Sequence, residues 1–360
     1  MGASNAKSLD VVIVGCGLPK RGMGWYHLTQ LLEMKTANVK AVVEPFFLNP
    51  DLCKEMPKSF EELVKSLNDR GVETAKSIED LAEFTEPTLC LIAGRTMDNP
   101  KLFRQCIENG AKYLYLEKPG APTVKELEEM EALAKEKGVK VYIGYNKNVT
   151  PYVQKALKLA EKTPDSQVLF CHNNSYTEEQ LPECFGRNSE GMLKNMAIHE
   201  LALLVSFFGV TVDTIDKFEI NTDGEFSEKL TLEFNNKTYT DFSRIRFTVT
   251  TKSGTSVSVM ANRCGGNVSY ALLQDAEGNE IEKFEFPDSE TASKVEEQVK
   301  ADPEMMPYFF VQSDDYLVLK TRVVEAILAG KDAEGVATIS IGVDALKLAE
   351  FGTAQLNESL

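Results

Sequence analysis

The stretch "LDVVIVGCGLPKRGMGWYH", residues 9–27, decides how the first half of the chain is read. A β-branched run ending at Val14 passes directly into Gly15 and Gly17, and then into an amphipathic segment. That order is a strand, a tight turn and a helix. Glycines at such a turn let backbone N–H groups approach a pyrophosphate at the N-terminus of the helix. A strict G-x-G-x-x-G would need glycine at position 20, which is Lys20; Gly22 and Gly24 arrive later, as though a few residues were inserted. The nucleotide-binding candidates in this stretch are Gly15, Gly17, Leu18 and Gly24.

Outward from it, short apolar runs alternate with helical patterns. The runs are "VKAVVEPF" (39–46), "PTLCLIAG" (87–94), "KYLYLEKP" (112–119) and "VKVYIGYN" (139–146). The helical patterns include 25–34, 59–71, 101–110 and 123–138, the last with Thr123 and Glu126 as a capping box and Gly138 as its stop. Apolar strands joined by helices imply a parallel sheet covered on both faces. We therefore expect a doubly wound Rossmann-type α/β domain over residues 1–147. Glu44 ends the second strand, where a carboxylate accepts both ribose hydroxyls of NAD and repels a 2′-phosphate. NAD is the expected cofactor, with NADP the alternative if Lys20 and Arg21 serve the phosphate. Gly94, Thr96, Glu117, Lys118 and Asn146, at or just past the ends of later strands, complete the cofactor candidates.

After residue 150 the texture changes. Alternating strands such as "KLTLEF" and "FSRIRFTVTTKSGTSVSVMANR" are separated by hairpin-type turns. Residues 148–360 are expected to form a second α/β domain with an open, mostly antiparallel sheet and closing helices at 305–329 and 338–356. "GMLKNMAIHELALLVSFFG" (191–209) reads as one buried helix, with Asn195 and His199 on a single polar stripe.

The bulk composition narrows the function. A net charge of −16 over 360 residues argues against nucleic acid and anionic membrane as partners. Seven scattered cysteines without a C-x-x-C favour reduced thiols over disulfides or a zinc site, and no metal is expected. No apolar run approaches the roughly 20 residues of a membrane span, and "MGASNAKSLD" has no apolar leader pattern. Gly2 is followed by Ala6 where an acylation motif wants Ser or Thr. A cytoplasmic protein is the expectation.

The most specific stretch is "YLEKPGAPTVKELEEMEALAKEKGVKVYIGYNKN" (115–148), with Lys118 where open α/β sheets bind ligands. Together with the glycine loop it resembles the Gfo/Idh/MocA oxidoreductase family, which carries E-K-P at this point and a G-Y/F-x-R-R-like stretch later, here "GYNKN". The family's G-G-x-x-x-D-x-G-x-H falls on "EGMLKNMAIH", so His199 matches its histidine and Asn195 replaces its aspartate. The resemblance implies that His199 exchanges a hydroxyl proton and Lys118 donates to the same oxygen during hydride transfer with a sugar, polyol or sugar acid. It also implies a homodimer or homotetramer through the second sheet. Asn195 would leave the histidine less basic.

Tyr145, Lys147, His172, Asn195 and His199 are the substrate-side candidates, and Arg187 and Tyr308 are further specificity positions. Lys147 and Arg263 fit either an anchor for a polar substrate or a solvated cation, and His27 reads as structural. The alternatives are a redox-neutral NAD-using lyase or glycosidase, an imine or keto-acid reductase, and a non-catalytic binding protein on the same fold.

Overall fold

The computed structural model describes residues 8–266 and 268–360. The acylation reading at Gly2 and Ala6 lies outside the described residues. Two compact units are present: the residues up to Tyr145 together with Lys294–Ser340, and Asn146–Ser293 together with Ile341–Leu360.

The first unit is built on six parallel strands: β1 (Leu9–Val14), β2 (Ala37–Val43), β3 (Glu73–Ala75), β4 (Thr88–Ile92), β5 (Tyr113–Leu116) and β6 (Lys140–Ile143). Their order, β3-β2-β1-β4-β5-β6, reverses between β1 and β4. This is the doubly wound sheet expected from the apolar runs, and sheets of this kind bind ligands where the order reverses. Val11–Val14 and Leu89–Ile92 are buried, as strands covered on both faces require. Strand β3 has three residues and no apolar run, so no periodicity announced it. Thr123 caps the helix Val124–Lys137 by accepting from the Glu126 N–H, and Gly138 closes it in the left-handed region at φ 65°.

The first unit also takes in a late part of the chain. The helix Ser313–Ala329 packs on β1, burying Leu319, Val323 and Ile327 at a spacing of four. The Ile143 N–H donates to the Ala337 carbonyl. Sequence reading grouped both closing helices with the second domain, and this packing gives the first of them to the first unit. Nothing local in the sequence records such a return.

The second unit carries seven strands: β7 (Gln167–Asn173), β8 (Ile215–Ile220), β9 (Glu228–Phe234), β10 (Lys237–Thr251), β11 (Ser256–Asn262), β12 (Ser269–Gln274) and β13 (Glu280–Phe286). The order is β13-β12-β7-β11-β10-β8, with β9 also on β10. Only β7 and β11 run parallel among the described pairs; the rest are antiparallel. Ile245, Phe247, Val249 and Thr251 alternate inward along β10. Asn235 and Asn236, at φ 50° and 58°, make the β9–β10 turn.

The expected helix over 191–208 is broken. It consists of Met192–Asn195 and Ile198–Phe208. The Ala197 N–H reaches back five residues to the Met192 carbonyl at 3.0 Å, a turn one residue wider than an α-helix. That extra residue takes Asn195 off the stripe on which regular geometry placed it with His199.

Candidate active site

The carboxyl ends of β1, β4 and β5 lie side by side in the first unit. Val14 pairs with Ile92 and Ile92 with Leu116. The segments Gly15–Leu18, Gly94–Thr96 and Glu117–Lys118 therefore leave the sheet along one edge. Gly15 has φ 81°, and a Cβ there would meet Gly94 Cα at 2.6 Å. Only glycine lets these two strand ends close up. Gly24 fills the place of the third motif glycine despite its late position: a Cβ on it would stand 2.0 Å from the Gly15 carbonyl oxygen. The helix Met23–Glu33 opens beside this turn with no acidic residue in its first turn. Its first N–H groups and positive dipole end suit a phosphate.

Glu44, just past β2, is buried at 4% exposure, and its Oε2 accepts the Gly17 N–H at 2.8 Å. Its Oε1 accepts the Phe46 N–H at 3.0 Å. The carboxylate thus ties the second strand to the glycine loop. Lys20 donates to Asp302 at 2.8 Å and to Glu304 at 3.2 Å. A lysine already held by two carboxylates is a poor receptor for a 2′-phosphate. Thr96 starts a short 3₁₀ turn ahead of the helix Asn99–Glu108.

The side chain of Glu117 turns inward. Its Oε1 lies 2.8 Å from His27 Nε2, and Lys320 Nζ lies 2.8 Å from His27 Nδ1. His27 is fully buried and Lys320 is 2% exposed. Tyr26 and Tyr316 flank the ammonium at 5.8 and 5.4 Å. An ammonium can only donate and a carboxylate only accept, so His27 carries its proton on Nε2. Burial first, then the Lys320 charge, hold the His27 imidazole down to about 4 against the pull of Glu117. Burial likewise lowers Lys320 to about 7, with Glu117 opposing. Sequence reading made His27 structural, which fits, and it listed Glu117 among the cofactor residues. In the structure the Glu117 carboxylate is engaged by His27, and the next residue, Lys118, is half-buried at the start of a cis peptide to Pro119. Lys320 was not a candidate at all. Tyr145 is fully buried in the same unit, where burial and the Glu117 charge raise its hydroxyl.

In the second unit Asn146 and Lys147 are buried. Lys147 Nζ lies 2.5 Å from Glu200 Oε1 and 3.3 Å from Ser269 Oγ. Glu200 is fully buried, and its Oε2 is 3.2 Å from His172 Nδ1. Burial opposes its ionisation, but Lys147, His172 and His199 overcome this and hold it well below the usual carboxylate range. His199 opens the same helix and is 6% exposed. The Asn195 amide donates to Glu190 at 2.7 Å. Arg263, read as a substrate anchor or a solvated cation, is neither. It is fully buried, paired with Asp241 at 2.6 Å and donating to the Phe242 carbonyl at 3.2 Å. Arg187 donates to the Tyr176 hydroxyl on the surface.

Sequence reasoning missed Glu200. The signal it left was a carboxylate inside an otherwise apolar run, which demands a buried cation.

Residues 9–145 match the family model described as "Oxidoreductase family, NAD-binding Rossmann fold", that of Gfo/Idh/MocA. No curated protein sequence matches the chain. Among solved structures it is similar to a myo-inositol dehydrogenase from Corynebacterium glutamicum, at 16% identity and TM-score 0.67, covering 96% of each chain. It is also similar to scyllo-inositol dehydrogenase from Lactobacillus casei with bound NAD(H) and scyllo-inositol, at 15% identity and TM-score 0.65, covering 96% of this chain and 95% of that one. A third is the WlbA dehydrogenase from Bordetella pertussis in complex with NADH and UDP-GlcNAcA, at 13% identity and TM-score 0.65, covering 98% of each chain. At such identities the likeness establishes a shared fold. No helix among the described residues is long and apolar enough to cross a membrane.

Proposed function

We propose that this chain, whose first unit belongs to the NAD-binding Gfo/Idh/MocA oxidoreductase family, moves a hydride between NAD and a hydroxyl-bearing carbon of a small polyhydroxylated substrate, a polyol, sugar or sugar acid. The observation that carries this is the glycine turn clamped to Glu44 beside a helix N-terminus without acidic residues. Gly15, Gly17 and Gly24 would let a pyrophosphate approach the backbone, and Glu44, at the end of the second strand, would accept a ribose diol. The engagement of Lys20 by Asp302 and Glu304 favours NAD over NADP.

The nicotinamide supplies a hydride acceptor at its C4. Lys118, at the carboxyl edge of the sheet, donates to the substrate oxygen and stabilises negative charge that develops there. By motif position the group that takes the hydroxyl proton is His199, with Asn195 adding no charge to it. His172, whose side chain is 18% exposed, is a further candidate on the substrate side, whereas Tyr145 and Lys147 are buried. The alternating open face of the second sheet suits a dimer or tetramer formed through it.

The test is a titration with NADH and, separately, NADPH, followed by nicotinamide fluorescence. Micromolar NADH affinity with NADPH weaker by tenfold or more is expected. Tight NADPH binding would reassign Lys20 and Arg21 to the 2′-phosphate. Binding of neither nucleotide would remove the oxidoreductase reading.

A further inference from the structure

In the proposed reaction Lys118 stabilises charge on the substrate oxygen, so the course of the backbone around it matters. Lys118 and Pro119 are flanked by two residues that are tied down. On the amino-terminal side, the Glu117 N–H donates to the Ile92 carbonyl at 2.9 Å, and the Glu117 carboxylate is held by His27. On the carboxyl-terminal side stands Gly120, which is buried. Its N–H turns back to the Glu117 carbonyl at 3.1 Å and closes a four-residue turn.

The Gly120 carbonyl is taken by Asn99. Asn99 Nδ2 donates to that oxygen at 2.9 Å, and the residue is 1% exposed. Asn99 belongs to the segment that follows β4. Its own N–H donates to the Thr96 carbonyl and closes the 3₁₀ turn, and it begins the helix Asn99–Glu108. Leu102 and Phe103 anchor that helix in the core. One buried amide therefore joins the segment after β4 to the turn after β5, both in the first unit.

This bond leaves a group unsatisfied. A carbonyl oxygen only accepts, so the amide must present Nδ2 to Gly120, and its orientation is fixed. Asn99 Oδ1 then points into buried surroundings, where no donor meets it among the described residues. An acceptor buried in this way is destabilising. A side chain that forgoes one hydrogen bond to keep another is a local conflict. Folds retain such conflicts where position matters more than stability.

We propose that Asn99 is a positioning residue for Lys118. By holding the Gly120 carbonyl it fixes the turn from Glu117 to Gly120, and with it the direction in which the Lys118 side chain leaves the sheet. Asn99 itself exchanges neither hydride nor proton. A misplacement of about 1 Å at a reacting group can lower a rate by roughly 10². The kinetic consequence rests on the oxidoreductase reading, whereas the positional one does not.

Two variants remove the donor. Asn99→Leu is uncharged and similar in size, and Asn99→Asp keeps the outline of the amide. Should one fail to fold, the other carries the test. The first arm needs no substrate. Lysines in the full chain are labelled with ¹³C at Cε, and Lys118→Arg assigns the Lys118 resonance. That resonance is expected to move in both variants, while that of Lys147 in the second unit stays in place. An unmoved Lys118 resonance overturns the proposal.

The second arm is NAD⁺ reduction with the best substrate of a panel headed by myo-inositol and scyllo-inositol. Each variant should lower kcat by about tenfold to a hundredfold and leave NADH affinity within about twofold. In a Lys118→Ala background the same substitution should cost no more than about twofold, because the group it positions is already gone. Equal losses in the two backgrounds would make Asn99 a structural residue and overturn the proposal. Absence of NADH binding in the unaltered chain would remove the oxidoreductase reading, and the lysine resonance would then decide the positional role by itself.

Discussion

Replacing Lys320 by methionine should stabilise the first unit at pH 6 and cease to do so by pH 10. Lys320 is buried at 2% exposure and titrates near 7 instead of its ordinary 10.5. A depression of that size corresponds to roughly 5 kcal/mol of disfavoured charge burial. Below pH 7 both folded and unfolded chains hold the proton, so the penalty is present in full. Between pH 7 and about 10.5 the unfolded chain keeps the proton while the folded one sheds it. Stability therefore rises with pH across that window, by at most about 1.4 kcal/mol per unit. Methionine removes the whole of this dependence. It also leaves His27 Nδ1 without its donor, which costs about 1–3 kcal/mol at any pH. The difference is a gain of roughly 2–4 kcal/mol at pH 6 that becomes a small loss near pH 10.

Trp25 is the chain's single tryptophan and lies in the helix that carries His27, so urea unfolding followed by its fluorescence reports on this unit. Stability curves for the two proteins that run parallel from pH 7 to 10 would refute the reasoning. His27, held near 4 against an ordinary 6.5, adds a second rise in stability between those values in the unaltered protein; the rise is smaller in Lys320→Met, which lacks the charge that helps to lower it.

The remaining expectations are more direct. Lys118→Ala should lower kcat at least about a hundredfold while NADH affinity changes little, and equal losses in both would make it a cofactor residue only. Gly24→Ala places a methyl group against the Gly15 carbonyl, so NADH binding should weaken and the first unit's melting midpoint fall by several degrees, corresponding to about 1–3 kcal/mol, in calorimetry. Arg263→Met strands the buried Asp241 carboxylate and should destabilise the second unit by about 3–5 kcal/mol, read by urea unfolding in circular dichroism, without altering NADH affinity.

The parts of the fold legible in the sequence were those written locally. Val11–Val14 followed by Gly15 specifies a strand and a turn within a few residues, and the packing of Gly24 against that turn shows how a stretched motif still closes helix onto strand. The alternation along β10 was equally plain. What escaped was non-local or rested on a single residue's displacement. The return of Ser313–Ala329 to β1 leaves only an ordinary amphipathic pattern. The wide turn at Ala197 has no proline or glycine to mark it, so a regular helix was the natural reading of 191–208. Glu200 and Lys147, like Glu117 and Lys320, each look like a solvated charge until their partners are known. Arg263 shows the same ambiguity: a cation in a strand-end sequence reads alike whether it faces solvent or pairs with Asp241.

The route of the chain between its two units bears on how the protein is made. His27 and Lys320 are 293 residues apart in sequence. A ribosome that has released the glycine turn and all six strands of the first sheet has not yet supplied the ammonium that meets His27, nor the helix that lies on β1. The second unit's sheet is synthesised entirely within that interval. A fragment ending near residue 147 would bear every recognisable nucleotide-binding signature and still expose the apolar surface that Leu319, Val323 and Ile327 cover. Recombination that exchanged the second unit would have to rejoin the chain near 145, 293 and 340. By genetic continuity the two units are one heritable piece, although each has its own core.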